Sequence, residues 1–233
     1  PHLGHALEFV QADFFARAQR AQGIEVFFNI GTDEHGAKVY AKAREAGQEP
    51  QAYVDRYAAR FRAFADTLGI SYDSFIRTTG ESHKRAAQEF WRRCEAAGDI
   101  YKAAYEVKYC IGCELEKTDS ELVDGRCVLH PNMEIEIRSE ENYYFRLSRY
   151  GNAILQLYES TPDFIVPKER AREMAALISR ELKDFSISRV KLKMPWGVPV
   201  PGDEEHVMYV WFDALINYIS AIGWPEDKKT FRK

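Results

Sequence analysis

The chain has no uninterrupted apolar run near the roughly 20 residues that a membrane-spanning helix needs, which argues against a membrane partner. It has no internal repeat and no low-complexity tract. Cysteine is scarce: there are four in 233 residues, three of them clustered, which suits a reducing compartment and a metal site better than a disulfide scaffold. A large positive excess is also missing. With 32 Lys and Arg against 36 Asp and Glu the net charge is −4, so no nucleic-acid surface covers the whole chain, although local basic patches remain open. Aromatic residues are plentiful, with 13 Tyr, 14 Phe and 4 Trp, and 45% of residues are hydrophobic, which excludes disorder and leaves an ordinary globular chain.

Apolar spacing and breakers give the organisation. Leu3, Leu7, Val10, Phe14 and Ala18 form an apolar stripe on an opening helix that stops at Gly23. Glu25 to Ile30 reads as a buried strand, and Gly31-Thr32-Asp33-Glu34-His35-Gly36 as the polar turn at its end. Helices follow from Ala37 to Ala46, stopped by Gly47, and from Pro50 to Leu68, before Gly69, then a strand at Ser74 to Arg77 and a helix from Glu81 to Ala97 closed by Gly98. This alternation predicts an α/β fold with a parallel sheet, whose ligands bind beyond the carboxyl ends of the strands. From Ile100 to about Pro167 short strands surround a cysteine cluster, the texture of an insertion with its own small core. Tyr209 to Asp213 resumes the buried-strand pattern and leads into an aromatic helix to Ile222.

Three constellations carry chemistry. His2 and His5 stand three apart at a helix start, on one face, beside uncommitted N–H groups and the positive end of the dipole, a place to hold phosphate. Gly4 between them lets a flat ligand approach the backbone. Cys110-x2-Cys113-x13-Cys127-x2-His130 has the paired spacing of tetrahedral zinc, and three thiolates with one imidazole leave no open position, so the site is expected to be structural. Cys94 reads as plain core. Asp33 could hold a substrate ammonium, or Thr32 or Asp33 could simply cap the next helix. Trp211, Ala214 and Tyr218, with Asp213, could wall an apolar pocket or belong to the core. His83 and His206 are read as surface or core histidines, and Lys191 and Lys193 as a solvated face.

Taken together the segments resemble a known family. Pro1 to Ala6 (PHLGHA) is similar to the HIGH signature of class I aminoacyl-tRNA synthetases. Gly31 to Gly36 (GTDEHG), Trp211 to Tyr218 (WFDALINY) and the cysteine knuckle between them resemble the methionyl branch. Phe185 to Arg189 (FSISR), Pro195-Trp196-Gly197 and Tyr143 to Arg146 stand in the order that branch has them. Leu215 stands where many members have proline and others leucine. The resemblance implies a Rossmann-like nucleotide-binding sheet whose first half is 1–97, a connective insertion with a zinc knuckle at 98–180, and the start of the second half at 181–233. It implies that His2 and His5 stabilise the ATP α-phosphate, that Gly4 lies under the adenosine, and that Asp33 binds the methionine amino group. Trp211, Ala214 and Tyr218 would surround the methionine side chain. Cys110, Cys113, Cys127 and His130 would hold one structural Zn2+ that helps place the tRNA acceptor end, and Mg2+ would accompany ATP.

The expected activity is a cytoplasmic ligase joining L-methionine to tRNA(Met). Because the sequence opens at Pro1 and closes at Lys233 without a lysine-rich KMSKS loop or an anticodon-binding domain, it is expected to be a fragment that is inactive alone. Three other readings compete. Synthetases for branched aliphatic residues would need an editing insertion larger than the span from Gly98 to Trp211, and a cysteinyl enzyme would need an open zinc. A zinc-ribbon nucleic-acid module would need a basic knuckle, against Asp119, Glu121, Asp124, Glu134 and Glu136. The third is a non-catalytic paralogue that senses methionine or its adenylate.

Overall fold

The computed structural model describes residues 1–113, 115–117, 121–227 and 231. They form two compact units, one of Pro1–Cys94 with Lys191–Lys233 and one of Glu95–Val190.

The first unit opens with α1 (Leu3–Ala21), capped by His2. Its buried face is not the apolar stripe expected from the sequence: Leu3 is 86% and Phe14 67% exposed, and Leu7 and Val10 are exposed too. Phe9, Asp13 and Ala16 face inward instead. Polar anchors chose this face. Asp13 accepts from the Ser71 N–H at 2.7 Å and hydroxyl at 2.5 Å, and Arg20 donates to the Ser71 carbonyl and to Asp73. Bonds of this kind to charged groups, roughly 1.5–3 kcal/mol each, outweigh the apolar periodicity on that helix.

Strand β1 (Asn29–Thr32) is shorter than the expected run from Glu25. Asp73 accepts the Phe28 N–H at 2.6 Å, so regular pairing begins only after it. Next come α2 (Ala37–Glu45) and α3 (Pro50–Thr67), started by a proline whose missing N–H costs nothing in the first turn. β2 (Ser74–Arg77) pairs with β1 in parallel, with Thr32 opposite Arg77. Gly31 is required there, because a Cβ would stand 2.1 Å from the Ile76 carbonyl oxygen. Phe9, Ile30, Ala65 and Ile70 form the core beneath this pair, with Phe28, Phe61, Phe64, Tyr72 and Phe75 packed around them. The helix α4 (Glu81–Ala96) buries His83, Ala86, Ala87 and Trp91. Cys94, expected in the core, is only partly buried.

The second unit is built on a long antiparallel pair. β3 (Ile100–Cys110) carries β4 (Leu115–Lys117) on one edge, and β5 (Leu122–Val123) and β6 (Arg126–Cys127) form a small hairpin. Asp124 and Gly125 turn that hairpin at φ 51° and 74°, the left-handed conformations a two-residue loop demands. β7 (Ile135–Phe145) pairs with β3 along its whole length, so the texture of short strands expected in this stretch includes one long strand pair. After α5 (Gly151–Ser160) and α6 (Lys168–Glu181), β8 (Phe185–Ser186) extends the sheet on β7, and β9 (Ser188–Val190) ends the unit. Asp99, 5% exposed, ties the start of β3 to the residues before α5 through Arg149 at 2.7 Å and Tyr150 at 2.5 Å.

The first unit resumes with the hairpin of β10 (Pro199–Val200) and β11 (Asp203–Met208). His206 is buried there, 3.0 Å from Asp203. Tyr209 to Asp213 is not the buried strand expected: the chain caps at Tyr209 and forms α7 (Val210–Ala214), then α8 (Asn217–Ser220). A five-residue apolar run cannot distinguish strand from helix by period alone. Helical spacing turns Phe212, Asp213 and Ala214 inward and leaves Trp211 58% exposed. Phe212 lies edge-on to Trp91, 5.4 Å between rings, and joins α7 to α4. Lys191 and Lys193 are exposed. No described helix is long and apolar enough to cross a membrane.

Candidate active site and metal centre

The start of α1 is an unusual cap in which two imidazoles replace the common Ser or Asp. The His2 Nδ1 accepts the Gly4 N–H and the His5 Nδ1 accepts the His2 N–H, both at 3.1 Å. In a neutral ring a bonded Nδ1 acceptor places the hydrogen on Nε2, so each imidazole keeps an N–H donor for a ligand. The rings lie 3.7 Å apart, and His5 meets Phe61 edge-on at 4.9 Å. Burial, then His2 and the Pro1 amino group, hold the His5 pKa below the usual imidazole value, with Glu8 opposing. Gly4 has a local reason as well: a Cβ would stand 2.9 Å from the His2 ring.

Parallel register sets the ends of β1 and β2 side by side, which brings the Asp33 loop against Arg77, Thr78 and Thr79. Glu34, 2% exposed, accepts a two-pronged bond from Arg77 at 2.7 and 3.0 Å, another from Thr32 at 2.7 Å, and one from Thr79. Its backbone takes the Thr78 hydroxyl oxygen as acceptor at 2.9 Å and receives the Trp196 indole N–H at 2.6 Å. The loop is thus pinned from four directions. Neither Thr32 nor Asp33 caps α2; Gly36 does, with φ 105° and no side-chain bond. Among the described residues the Asp33 carboxylate has no hydrogen-bond donor. Its outer edge is exposed, yet desolvation by surrounding protein, then the Asp213 charge, push its pKa above the ordinary carboxylate value, while His83 and His35 pull it back.

Asp33 and Tyr218 line one cavity of about 490 Å³, together with Glu8, Phe9 and Ala12 of α1 and the Phe27–Thr32 segment. His5 and His2 stand about one and two turns before those lining residues, toward the start of α1, and are not on its wall; nor are Trp211 and Ala214. Tyr218 is 71% exposed and Ala214 is buried. Sequence reasoning missed four residues that shape this end of the unit: Glu34, Arg77, Trp196 and His83. The one available signal was a charged pair closing two consecutive strand patterns.

In the second unit, Cys110, Cys113, Cys127 and His130 offer donor atoms that all lie within 4.8 Å of one another. The Cys113 and Cys127 sulfurs are 3.5 Å apart, and the His130 Nδ1 is 3.1 Å from Cys113 and 3.7 Å from Cys110. Ligands about 2.3 Å from a tetrahedral zinc stand about 3.8 Å from each other, so this donor set fits the ion. Gly112 admits His130, whose ring would be 2.6 Å from a Cβ there. Burial, then Cys127 and Cys110, push the Cys113 thiol up to about 11. Burial opposes it at Cys127, but Cys113, the Leu129 N–H and His130 bring that thiol down to about 6. Glu121, Asp124, Glu134 and Glu136 around the knuckle are exposed; Asp119 lies outside the described residues, as do Thr230, Arg232 and Lys233.

The family model described as tRNA synthetases class I (M) matches residues 1–129 and 112–233. The chain belongs to this family. Among curated relatives, a methionine–tRNA ligase of Thermosynechococcus vestitus is 47% identical over 231 residues, covering 99% of the chain and 43% of the relative. The methionine–tRNA ligase of Thermotoga maritima is 44% identical over 236 residues, covering 100% of the chain and 37% of that relative. A crystal structure of Mycobacterium tuberculosis methionyl-tRNA synthetase bound by methionyl-adenylate superposes with a TM-score of 0.86 at 43% identity, over 100% of this chain and 46% of that one. The chain therefore spans less than half the length of these relatives.

Proposed function

We propose that the protein carrying this chain activates L-methionine with ATP to methionyl-adenylate and passes the methionyl group to tRNA(Met). The observation that carries this reading is Asp33: a carboxylate with no capping duty, at the carboxyl end of a parallel strand, on a loop pinned through Glu34, and lining a cavity shared with Tyr218. An α-ammonium supplies three donors and a full charge to such a group. The M. tuberculosis relative bound by methionyl-adenylate supports the same substrate pair.

In this reading 1–97 and 181–233 are the catalytic halves and 98–180 is the connective insertion; the first unit holds most of those halves, while residues 95–97 and 181–190 belong to the second unit. The methionine carboxylate attacks the α-phosphorus of ATP in line, the bond to the bridging oxygen breaks, and pyrophosphate leaves. His2 and His5 direct their Nε2–H groups, and α1 its N-terminal dipole, at the charge developing on the α-phosphate. Gly4 leaves the backbone open to the adenosine. Asp33 fixes the amino group and Tyr218, which lines the same cavity, meets the thioether, which selects by shape because sulfur offers little to hydrogen-bond; Trp211 and Ala214, off that wall here, would have to move toward it from α7 to complete the enclosure. The 3′-terminal adenosine hydroxyl of the tRNA then attacks the mixed anhydride carbonyl and AMP leaves. Mg2+ with ATP would offset the pyrophosphate charge, and one Zn2+ held by Cys110, Cys113, Cys127 and His130 would fix the knuckle for acceptor-end binding. Such a protein works in the cytoplasm. The 233 residues alone contain no lysine-rich KMSKS loop and are expected not to catalyse the exchange.

ATP–pyrophosphate exchange by the complete protein, run with each amino acid in turn, tests this. Exchange that depends on methionine is expected; exchange driven by another amino acid, or by none, refutes it.

A further inference from the structure

Next to Asp33 in sequence, at His35, begins a buried cluster of titratable groups with no duty in the chemistry above. Asp213 of α7 is fully buried, with its Oδ2 3.2 Å from the His35 Nδ1 and its Oδ1 3.8 Å from the His83 Nε2. His83, on α4, is equally buried, and its other nitrogen is 3.0 Å from the Ser220 hydroxyl of α8. The facing nitrogens and both carboxylate oxygens lack well-aligned hydrogen bonds, so the cluster is defined by proximity in a buried site. A solitary carboxylate at zero exposure is strongly unfavourable, and removing one partner of such a set is felt by every other charge nearby.

Asp33 is one such charge. His35 is two residues along the same loop, and its ring packs 5.6 Å from Trp196, whose indole N–H is bonded to the Glu34 carbonyl. The groups acting on the Asp33 carboxylate are Asp213 from α7, His83 from α4, and His35 and Glu34 from its own loop; Arg77 of β2 already offsets Glu34. Asp213 disfavours ionised Asp33, and His83 and His35 favour it. The helix that carries Asp213 also carries Trp211 and Ala214.

We propose that His35, Asp213 and His83 form a buried positioning cluster that sets the orientation and charge of Asp33, and with them the strength of ammonium capture and its pH range. His83 is a positioning residue in this scheme, acting through Asp213 without touching substrate. The inference rests on Asp33 being the ammonium site.

The test is the KM for methionine in ATP–pyrophosphate exchange by the complete protein, followed from about pH 5.5 to 9. His83→Gln removes a group that favours ionised Asp33. It should move the acid limb of the methionine KM to higher pH, and leave kcat within about twofold with KM converging on wild type at the alkaline end. Asp213→Asn removes the group that disfavours ionisation and should move the limb to lower pH. Ser220→Ala, which frees the far nitrogen of His83, should give a smaller shift in the His83→Gln direction. Inhibition by the desamino analogue of methionine should not change in His83→Gln. Fold damage cannot move two limbs in opposite directions. Limbs that stay put, that move together, or a KM raised equally at every pH overturn the cluster while leaving methionine activation intact. No methionine-dependent exchange by wild type overturns the underlying reading instead.

Discussion

Arg77 and Glu34 offer the sharpest test of how the Asp33 loop is held. Glu34 is 2% exposed and Arg77 26%, and two bonds at 2.7 and 3.0 Å join them. Arg77→Met keeps the length of the side chain and removes its charge, so Glu34 is left with only the Thr32 and Thr79 hydroxyls. Breaking a buried pair from one side costs about 3–5 kcal/mol. Arg77 also spans to Asp55 at 2.6 Å, but Asp55 is half exposed and that contact adds under about 1 kcal/mol. For a chain of this size each kcal/mol lowers Tm by about 2–4 °C, which gives a loss near 10 °C. Glu34→Gln, which keeps shape and removes the charge, should cost about 1–3 kcal/mol. The double variant should be more stable than Arg77→Met alone, because no uncompensated charge remains. Thermal and urea unfolding followed by circular dichroism completes the cycle. Losses that simply add, or an Arg77→Met variant within about 1 kcal/mol of wild type, refute the reasoning.

Metal analysis of purified protein should return close to one zinc per chain, and Cys110→Ser should abolish it; an ion-free protein with its second unit folded contradicts the knuckle assignment. His2→Ala should lower methionine activation by orders of magnitude with methionine affinity little changed, whereas a sensor or binding module would have no rate to lose. At Asp13 burial raises the pKa but the Ser71 and Arg17 bonds outweigh it and the net shift is downward. A depressed folded-state pKa stabilises above the ordinary carboxylate value and the gain is lost as pH falls through the folded value. Asp13→Asn should therefore cost roughly 2 kcal/mol at neutral pH and progressively less below about pH 4, seen in urea midpoints against pH; a loss independent of pH assigns the residue to packing alone.

What could be read in advance followed local rules. Helix stops at Gly23, Gly47, Gly69 and Gly98, the β1–β2 pair and the spacing of the four metal donors are properties of short segments. The errors came where distant residues decide. The apolar stripe of α1 lost to the Asp13–Ser71 bonds across 58 residues of sequence, and Tyr209 to Asp213 became a helix because Phe212 packs on Trp91 and Asp213 meets His83. His83 looked like any core histidine, since nothing in a helix pattern announces a carboxylate 130 residues away.

The most direct measurement is the pair of KM values, for methionine and for ATP, in exchange by the Asp33→Ala protein. Loss of one charge-assisted contact of about 2–3 kcal/mol should raise the methionine value roughly 30- to 150-fold and leave the ATP value within about threefold. An unchanged methionine KM, or a loss that falls on ATP instead, contradicts the account.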